Sequence, residues 1–429
     1  MYVSLAIFVI LLVLIVIGVP VAGCIGLASI ATIYIFKLGV PLTMVAAKTF
    51  SGVDSFSLMA IPFFVLAGEL MNKAGITKRI LDIAEALVGS LKGGLTYVNV
   101  LAAMMMASIS GSGTACAAML GKTLIPDMEE RGYSKEYAVA LTSCANVVGP
   151  IIPPSTLFIL YGYYTNTSVA NLFMGGVIPG IAIGIGLMIM GRFVCKAKGY
   201  RQEVEPFSLR KLGGALYRGW AALCIPVFIF VAIVFGWTTA SEAGALTCVV
   251  SLILGICYKS IRSWKDIMEV TKSAAHSTCT IFTLLALSGI FANVLVRAHF
   301  QEVIEEILFS IAHTPTTILL AIIAFIFILG MFVDVTPMVI MFSATFAGIA
   351  ASVGIGAVHF GVLFTLICMI GAVTPPVGGI LFVTTTIGNI SMTKITPMLI
   401  PFICVLLVVT VLLIAFPGMV TFIPALLFG

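Results

Sequence analysis

Hydroxyl groups and glycines are concentrated in one short stretch of the sequence, residues 108–114, which has the order Ser-Ile-Ser-Gly-Ser-Gly-Thr. Hydroxyl oxygens and exposed backbone carbonyls are hard ligands that suit a small cation. The glycines permit close backbone approach, and a helix that begins near Thr114 would direct its free N–H groups at a carboxylate. The stretch therefore predicts half of a binding site, with a Ser/Gly face for helix packing as the alternative.

A second polar stretch, residues 330–337, has the order Gly-Met-Phe-Val-Asp-Val-Thr-Pro and contains the acid Asp334. The runs around it are apolar, and a carboxylate inside a membrane is costly unless it is paired. Such a residue is a candidate for function by default. Asp334 could be a cation ligand, a proton carrier or a salt-bridge partner.

Two further segments contain paired prolines that would break a helix. Residues 149–156 have the order Gly-Pro-Ile-Ile-Pro-Pro-Ser-Thr, and residues 371–379 have the order Gly-Ala-Val-Thr-Pro-Pro-Val-Gly-Gly. Prolines remove N–H donors and unwind a helix, and the freed carbonyls can coordinate a cation. Asn146 lies one turn before the first break. A simple kink is the alternative, but the second copy favours a broken helix.

The elements that must position these segments are helices in a membrane. Of the 429 residues, 61% are hydrophobic and 9% are charged, whereas soluble domains carry about 25% charged residues. The apolar runs on each side of the glycine-rich stretch are about a dozen residues long, and a bilayer span needs roughly 20. We therefore predict re-entrant hairpins at 94–127 and 315–351, since a polar tip at membrane depth is tolerated only within protein or beside water. Hydropathy predicts spans at 2–19, 21–36, 57–72, 135–164, 171–195, 217–236, 241–258, 276–296, 357–388 and 395–416.

An internal repeat relates these elements. A shift of 222 positions superposes Thr114 on Thr336, Gly149 on Gly371, and one Pro-Pro pair on the other. Each copy contains five spans, one of them broken, and one hairpin that does not cross, so the second copy is expected to be inverted. Inverted repeats are typical of secondary transporters with a site near the midplane. The predicted fold is an all-α polytopic membrane protein built from two inverted-topology repeats.

The first repeat is expected at residues 1–214 and the second at 215–429. Repeat 1 would comprise scaffold spans within 1–72, an arm at 77–90, the inner hairpin 94–127, the broken span 135–164, a span at 171–195 and a cytoplasmic linker at 196–214. Repeat 2 would comprise scaffold spans within 217–258, an arm at 263–274, a span at 276–296, an arm at 299–312, the outer hairpin 315–351, the broken span 357–388 and a span at 395–416.

The positive-inside rule gives the orientation. Threading the chain through these spans places all but three of the 22 Lys and Arg residues on one side, the exceptions being Lys37, Lys48 and Arg297. Both termini are therefore expected to be periplasmic. An acidic patch on the outer arm, formed by Glu302, Glu305 and Glu306, is either a solvated face or a contact for a partner.

Two sites of one kind, one in each repeat, are thus expected to face each other with an anionic substrate between them. The substrate-binding residues would be Ser110, Gly111, Ser112, Gly113, Thr114, Asn146, Ser155, Thr156, Thr336, Thr374 and Gly378. One sodium site would comprise Ser108, Ser110, Ser112, Gly149, Ile152 and Pro153. The other would comprise Gly330, Val333, Asp334, Thr336, Gly371 and Thr374.

Several other functions are disfavoured. No GxxxxGK[ST] loop for ATP is present, so a coupled ion must supply the driving force, and two or more sodium ions per cycle could do so. An intramembrane protease would need a base beside a serine or a second deep acid, and neither is evident. Closed hairpins argue against an open channel. The scattered lysines and arginines do not indicate nucleic-acid binding, and no enzyme activity is expected.

Residues 110–126, with the order Ser-Gly-Ser-Gly-Thr-Ala-Cys-Ala-Ala-Met-Leu-Gly-Lys-Thr-Leu-Ile-Pro, and the break that follows at 149–155 resemble the large membrane subunit of TRAP (tripartite ATP-independent periplasmic) transporters. The resemblance covers essentially the whole chain. It implies an elevator mechanism, in which a transport domain of hairpins and broken helices slides against a scaffold. It also implies sodium coupling.

The same resemblance implies two protein partners in the bacterial inner membrane and periplasm. These are a small four-helix membrane subunit and a periplasmic substrate-binding protein that delivers an organic acid, such as a C4-dicarboxylate, sialic acid or another sugar acid. The chain is more distantly similar to sodium/dicarboxylate symporters whose hairpin tips carry Ser-Asn-Thr. A stand-alone symporter is therefore the alternative.

Overall fold

The structure is a computed structural model, and it describes residues 2–200 and 207–428. Within those ranges the chain forms twenty α-helices and two short 3₁₀ helices, and no strand. The first ten are α1 (Tyr2–Val16), α2 (Val21–Ile35), α3 (Leu42–Ser51), α4 (Ala60–Lys73), α5 (Ile76–Val88), α6 (Gly94–Ser110), α7 (Gly113–Glu130), α8 (Lys135–Ala145), α9 (Thr156–Thr165) and α10 (Val169–Lys198).

The second ten helices follow residues 201–206, which lie outside the described residues. These six residues are the middle of the predicted linker 196–214. They are α11 (Leu209–Val234), α12 (Ala240–Cys257), α13 (Trp264–Arg297), α14 (Phe300–Ile311), α15 (Pro315–Gly330), α16 (Val335–Ser352), α17 (Ala357–Gly371), α18 (Gly379–Gly388), α19 (Met392–Ala415) and α20 (Gly418–Phe428).

Six of the described helices are long and apolar enough to cross a membrane: α10, α11, α12, α13, α16 and α19. A seventh span would result if α14 and α15, which meet at an angle of 119°, count as one. The chain is thus a multi-pass membrane protein. The spans expected at 2–19 and 21–36 are helices of 15 residues each, α1 and α2.

All four polar interruptions identified in the sequence lie between helices. Only Gly111 and Ser112 separate α6 from α7, and residues 331–334 separate α15 from α16. The Pro-Pro segments separate α8 from α9 and α17 from α18. Three of these interruptions contain glycine, which is entropically costly in a helix, or proline, which lacks the N–H donor. The fourth, residues 331–334, contains neither, and it follows Gly330 at the end of α15.

Other elements differ from the sequence expectation. The arm at 263–274 and the span at 276–296 form one continuous helix, α13. Ser263 and Asp266 form a capping box at its start, and no proline or glycine pair interrupts it at residue 275, so nothing separates the two parts. The terminal helix α20 was not anticipated, because its apolar run is short.

The helices form two groups. We call α6–α10 and α15–α19 the inner helices, and α2–α5 and α11–α13 the outer helices. Within the inner group the two halves interlock, since α18 packs against α7 and α8 while α16 packs against α9 and α17. A hydrogen bond of 2.6 Å between the hydroxyls of Ser143 and Thr384 joins α8 to α18. The predicted hairpins and broken spans therefore share one core.

Two glycines allow α15 and α17 to cross closely at the tip of the second hairpin. A Cβ atom added to Gly371 would lie 2.6 Å from the Cα atom of Gly330 and 3.0 Å from its carbonyl oxygen. Both neighbours are backbone atoms, which cannot rotate away. The end of α15 and the end of α17 can therefore meet only because neither residue carries a side chain.

We expect Gly371→Ala to destabilise the protein by about 1–3 kcal/mol, because overpacking must displace backbone. The measurement is the thermal unfolding midpoint of the purified protein in detergent. Gly213→Ala is the matched control, since a Cβ atom at Gly213 on α11 would have no atom within 4 Å, and its midpoint should not fall. Equal midpoints for the two variants would contradict the tight crossing.

Candidate substrate and cation site

A cavity of about 460 Å³ lies where the inner helices meet α4 and α13. Both hairpin tips line it, through Ser112 and Thr114 in the first half and Asp334 and Thr336 in the second. Both broken spans also line it, through Pro150, Thr156, Met369 and Ile380. Three of the four segments identified from the sequence therefore line one cavity, and the fourth, 371–379, lies between two residues that line it, Met369 and Ile380.

Four helices begin at this cavity. They are α7, α9, α16 and α18, which start at Gly113, Thr156, Val335 and Gly379. The first-turn residues Gly113, Thr114, Thr156, Leu157, Val335, Thr336 and Ile380 line it directly. The first N–H groups of a helix have no partner within that helix, and the helix dipole makes this end positive. At α18 the amides of Ile380 and Leu381 already donate to the carbonyl of Ala372, and Asp334 places a carboxylate at the start of α16. The starts of α7 and α9 are therefore the positive ends suited to a further anion.

The first hairpin tip is held against the first broken span. The hydroxyl of Thr156 donates a hydrogen bond of 2.9 Å to the carbonyl of Gly111. Gly111 has a φ of 58°, and a Cβ atom there would lie 3.3 Å from the carbonyl oxygen of Pro154. Ser112 caps α7, and its hydroxyl lies 3.1 Å from that of Thr114. Oxygen atoms from the tip and from the break are therefore brought together.

The second hairpin tip is held against the second broken span by main-chain atoms. The carbonyl of Met331 accepts hydrogen bonds of 3.2 Å from the amides of both Val377 and Gly378. Gly378 has a φ of 48°, so a residue with a side chain would be strained there. The same arrangement as in the first half results: a tip packed on an unwound segment.

Asp334 is the N-cap residue of α16, and its side chain is exposed at the cavity. A Cβ atom on Gly379 would lie 2.9 Å from Asp334 Oδ1, so the carboxylate is beside the start of α18. Among the described residues, no Lys or Arg forms an ion pair with Asp334. The salt-bridge role considered from the sequence therefore gains no support, and a role as cation ligand fits this position.

Asn146 has an unpartnered oxygen near the first tip. Its Nδ2 donates a hydrogen bond of 2.6 Å to the carbonyl of Thr142, while its fully buried Oδ1 has no partner. Its backbone carbonyl oxygen would lie 3.1 Å from a Cβ atom on Gly113. Buried polar atoms are rarely left without a partner, so this amide oxygen is a candidate ligand for a bound ion.

The predicted site residues that the structure describes fall into two sets, those that line the cavity and those that lie beside it. Those that line the cavity are Ser112, Gly113, Thr114, Thr156, Asp334 and Thr336. Those that lie beside the lining, in the tips and breaks, are Gly111, Asn146, Gly149, Ile152, Pro153, Ser155, Gly330, Val333, Gly371, Thr374 and Gly378. Ser155 caps α9, and Thr374 donates to the carbonyl of Ile370. Ser108 and Ser110 end α6, and their side chains lie outside the description.

Sequence reasoning missed one wall of the cavity. Glu69 on α4 and His276, Ser277 and Thr280 on α13 also line it. The hydroxyl of Ser273 donates a hydrogen bond of 3.1 Å to Glu69. An ionisable residue inside an apolar span is the signal that could have identified Glu69. We call these four cavity-lining residues the outer wall.

Lys73 is held away from this wall at the end of α4. Its ammonium group lies 2.9 Å from Glu269 and 3.3 Å from Asp266. The hydrogen bond to Glu269, and then the bond to Asp266, raise the pKa of Lys73. These pairs also join α4 to α13.

Comparison with known proteins identifies the family. Residues 8–419 match the family described as "Tripartite ATP-independent periplasmic transporter, DctM component". The chain is 33% identical to the isethionate TRAP transporter permease DctMQ of Oleidesulfovibrio alaskensis over 96% of its length, and it spans 64% of that longer protein. It is 32% identical to the sialic acid TRAP transporter large permease SiaM of Vibrio cholerae, with 96% of each chain covered.

Two further similarities are more general. The C4-dicarboxylate TRAP transporter large permease DctM of Vibrio cholerae is 30% identical, with 98% of this chain and 97% of that protein covered. The crystal structure of the YdaH transporter of Alcanivorax borkumensis has a TM-score of 0.63 at 11% identity, with 88% of each chain covered, which is a likeness of fold alone. The chain is therefore a transport protein and not an enzyme, and it belongs to the DctM family of TRAP transporter large permease subunits.

Proposed function

We propose that this permease subunit takes up an organic acid anion across the bacterial inner membrane by coupling it to the inward movement of sodium. The observation that carries the proposal is the convergence of four helix N-termini, two hairpin tips and Asp334 on one cavity. Relatives named for isethionate, sialic acid and C4-dicarboxylates support an organic acid as the substrate.

The anionic group of the substrate would bind at the helix starts. Each helix N-terminus stabilises a nearby negative charge by about 0.3–1 kcal/mol, and by up to about 2 kcal/mol where it is partly buried. The starts of α7 and α9 can therefore help to offset a substrate carboxylate without a Lys or Arg side chain, whereas the start of α16 already carries the Asp334 carboxylate. Thr114 and Thr336 add hydroxyl groups at the same place, whereas the hydroxyl of Thr156 is already donated to the carbonyl of Gly111.

Sodium would bind in each half where a tip meets a break. In the first half the available oxygens include the Asn146 amide and the main-chain carbonyls of the tip and the break. In the second half they include the Asp334 carboxylate and the carbonyls around Gly330, Gly371 and Thr374. Two or more ions per cycle would give a net inward charge, and each charge gains about 2.3 kcal/mol per 100 mV of membrane potential.

We further propose that the two halves are inverted repeats and that the inner helices move as one body against the outer helices. The matching positions of the two tips and the two breaks support the repeat. The interlocked packing of α7 with α18 and of α9 with α16 supports movement as a unit. Partners would be a small four-helix membrane subunit and a periplasmic binding protein, and both termini would be periplasmic.

Reconstitution in liposomes tests the proposal directly. With an inward sodium gradient, we expect uptake of a labelled organic acid only when the small subunit and the binding protein are both added. The control omits the gradient, which should abolish uptake. Uptake by this chain alone would instead support a stand-alone symporter.

We expect Asp334→Asn to raise the sodium concentration for half-maximal activity by roughly tenfold or more, because a charged ligand is lost. Sodium titration of uptake by the reconstituted system is the measurement. Asp54→Asn makes the same charge change at an exposed site outside the cavity and should leave sodium activation unchanged. Unaltered activation in the Asp334 variant would reject the ligand role.

We expect Ser112→Leu to abolish uptake without reducing expression, because an apolar side chain would fill the cavity at the start of α7. Ser310→Leu, on the exposed face of α14, is the matched control and should transport normally. Comparison of uptake rates at equal membrane expression is the measurement. Full activity of the Ser112 variant would place the substrate elsewhere.

A further inference from the structure

The outer wall differs from the hairpin side of the cavity in two respects: it contains an imidazole, and neither of its helices begins there. His276, Ser277 and Thr280 lie on one face of α13, since residues three and four positions apart are neighbours on a helix. Glu69 approaches them from α4, where Ser273 holds its carboxylate at 3.1 Å. The wall therefore presents hydroxyls, an imidazole that can donate a hydrogen bond, and one carboxylate.

The charges that line the cavity are unbalanced. The titratable side chains in its described lining are Glu69, His276 and Asp334, and this lining contains no Lys or Arg. Even a protonated His276 would leave the lining net negative. Lys73, the basic residue on α4, is already engaged with Asp266 and Glu269.

The two ends of the cavity thus suit different parts of one molecule. At the hairpin end, helix N-termini and bound sodium can offset a negative charge. At the outer wall, hydroxyl or amide groups can bond to Glu69, His276, Ser277 and Thr280. A second carboxylate placed there would face Glu69, and no lysine or arginine of the lining would compensate.

We infer that the substrate is an organic acid with one anionic group and a hydroxylated body, and that Glu69 is the residue that disfavours dicarboxylates. This inference rests on the proposed function, because it assumes that the anionic group binds at the hairpin tips. The cavity of about 460 Å³ is within the range of about 300–1,000 Å³ found for small-molecule sites. It can hold a body larger than a four-carbon chain.

Direct binding to the full-length chain in lipid nanodiscs, at saturating sodium, tests the inference. The hydroxylated probes are D-glycerate, D-gluconate, D-galacturonate and N-acetylneuraminate, and the dicarboxylate probes are succinate and fumarate. Isothermal titration gives each affinity. At least one hydroxylated acid should bind about tenfold more tightly than either dicarboxylate, since like charges a few ångströms apart repel on that scale.

Variants of Glu69 test whether this residue causes the preference for hydroxylated acids over dicarboxylates. Glu69→Gln should tighten succinate binding by roughly tenfold and change binding of the preferred hydroxylated acid much less. Glu69→Asp keeps the charge and should keep the preference. Glu306→Gln, on α14 outside the cavity, removes the same charge elsewhere and should change neither affinity.

Each outcome has a distinct meaning. If succinate binds as tightly as the hydroxylated acids, or if Glu69→Gln leaves their ratio unchanged, the inference is wrong while sodium-dependent anion transport stands. If none of these acids binds in the presence of sodium, the inference is again wrong, and the liposome uptake assay decides separately whether the proposed function stands. The wild-type comparison needs no variant, so it decides the substrate class even if Glu69→Gln does not fold.

Discussion

A helix that begins inside a membrane protein has N–H groups that its own backbone cannot bond. These donors must find partners, because each unsatisfied polar group costs several kcal/mol in an apolar medium. Here four helices begin at one cavity. Ser112 and Ser155 satisfy one donor each, and the carbonyl of Ala372 accepts bonds from the amides of Ile380 and Leu381 at the start of α18. The donors that remain, chiefly at α7 and α9, are the basis of the proposed anion binding.

The same constraint explains why the two halves interlock. A helix start cannot face lipid, so each hairpin must be covered by other protein. The first hairpin is covered partly by the second broken span, as a Cβ atom on Gly113 would lie 2.5 Å from Met369 Cε and 2.9 Å from Ile380 Cδ1. The second hairpin packs in turn against α9. The proposed sodium sites in the two halves would therefore be connected through these packing contacts between each hairpin and the other half.

The hairpin tips and the helix breaks could be predicted from the sequence because their residue types restrict the backbone. Glycine, proline and serine in an apolar run have few compatible structures, so residues 108–114 and 371–379 were informative alone. Eleven of the residues assigned to the site from sequence lie beside the cavity rather than lining it, because side-chain direction depends on packing. Asn146 and Ser155 are examples: both are fully buried.

The outer wall could not be predicted from sequence in the same way. The acid Glu69 stands out in an apolar span, but His276 and Thr280 belong to an uninterrupted helix, and no local pattern marks which face of that helix meets a cavity. Their position follows from the packing of α4 and α13 against the inner helices, which is tertiary information. The continuous helix α13 shows the same limit, since polar residues near its middle suggested a boundary that the backbone does not have.

The bonds from the Met331 carbonyl to the amides of Val377 and Gly378 join atoms that every residue except proline possesses. The attachment of the second tip to its unwound segment therefore does not depend on the side chains at 331 and 377, provided that residue 377 is not proline. Related chains can differ at these two positions without weakening the attachment. Sequence variability at 331 and 377 therefore does not show that this contact is unimportant. Gly378, whose φ is positive, lacks that freedom.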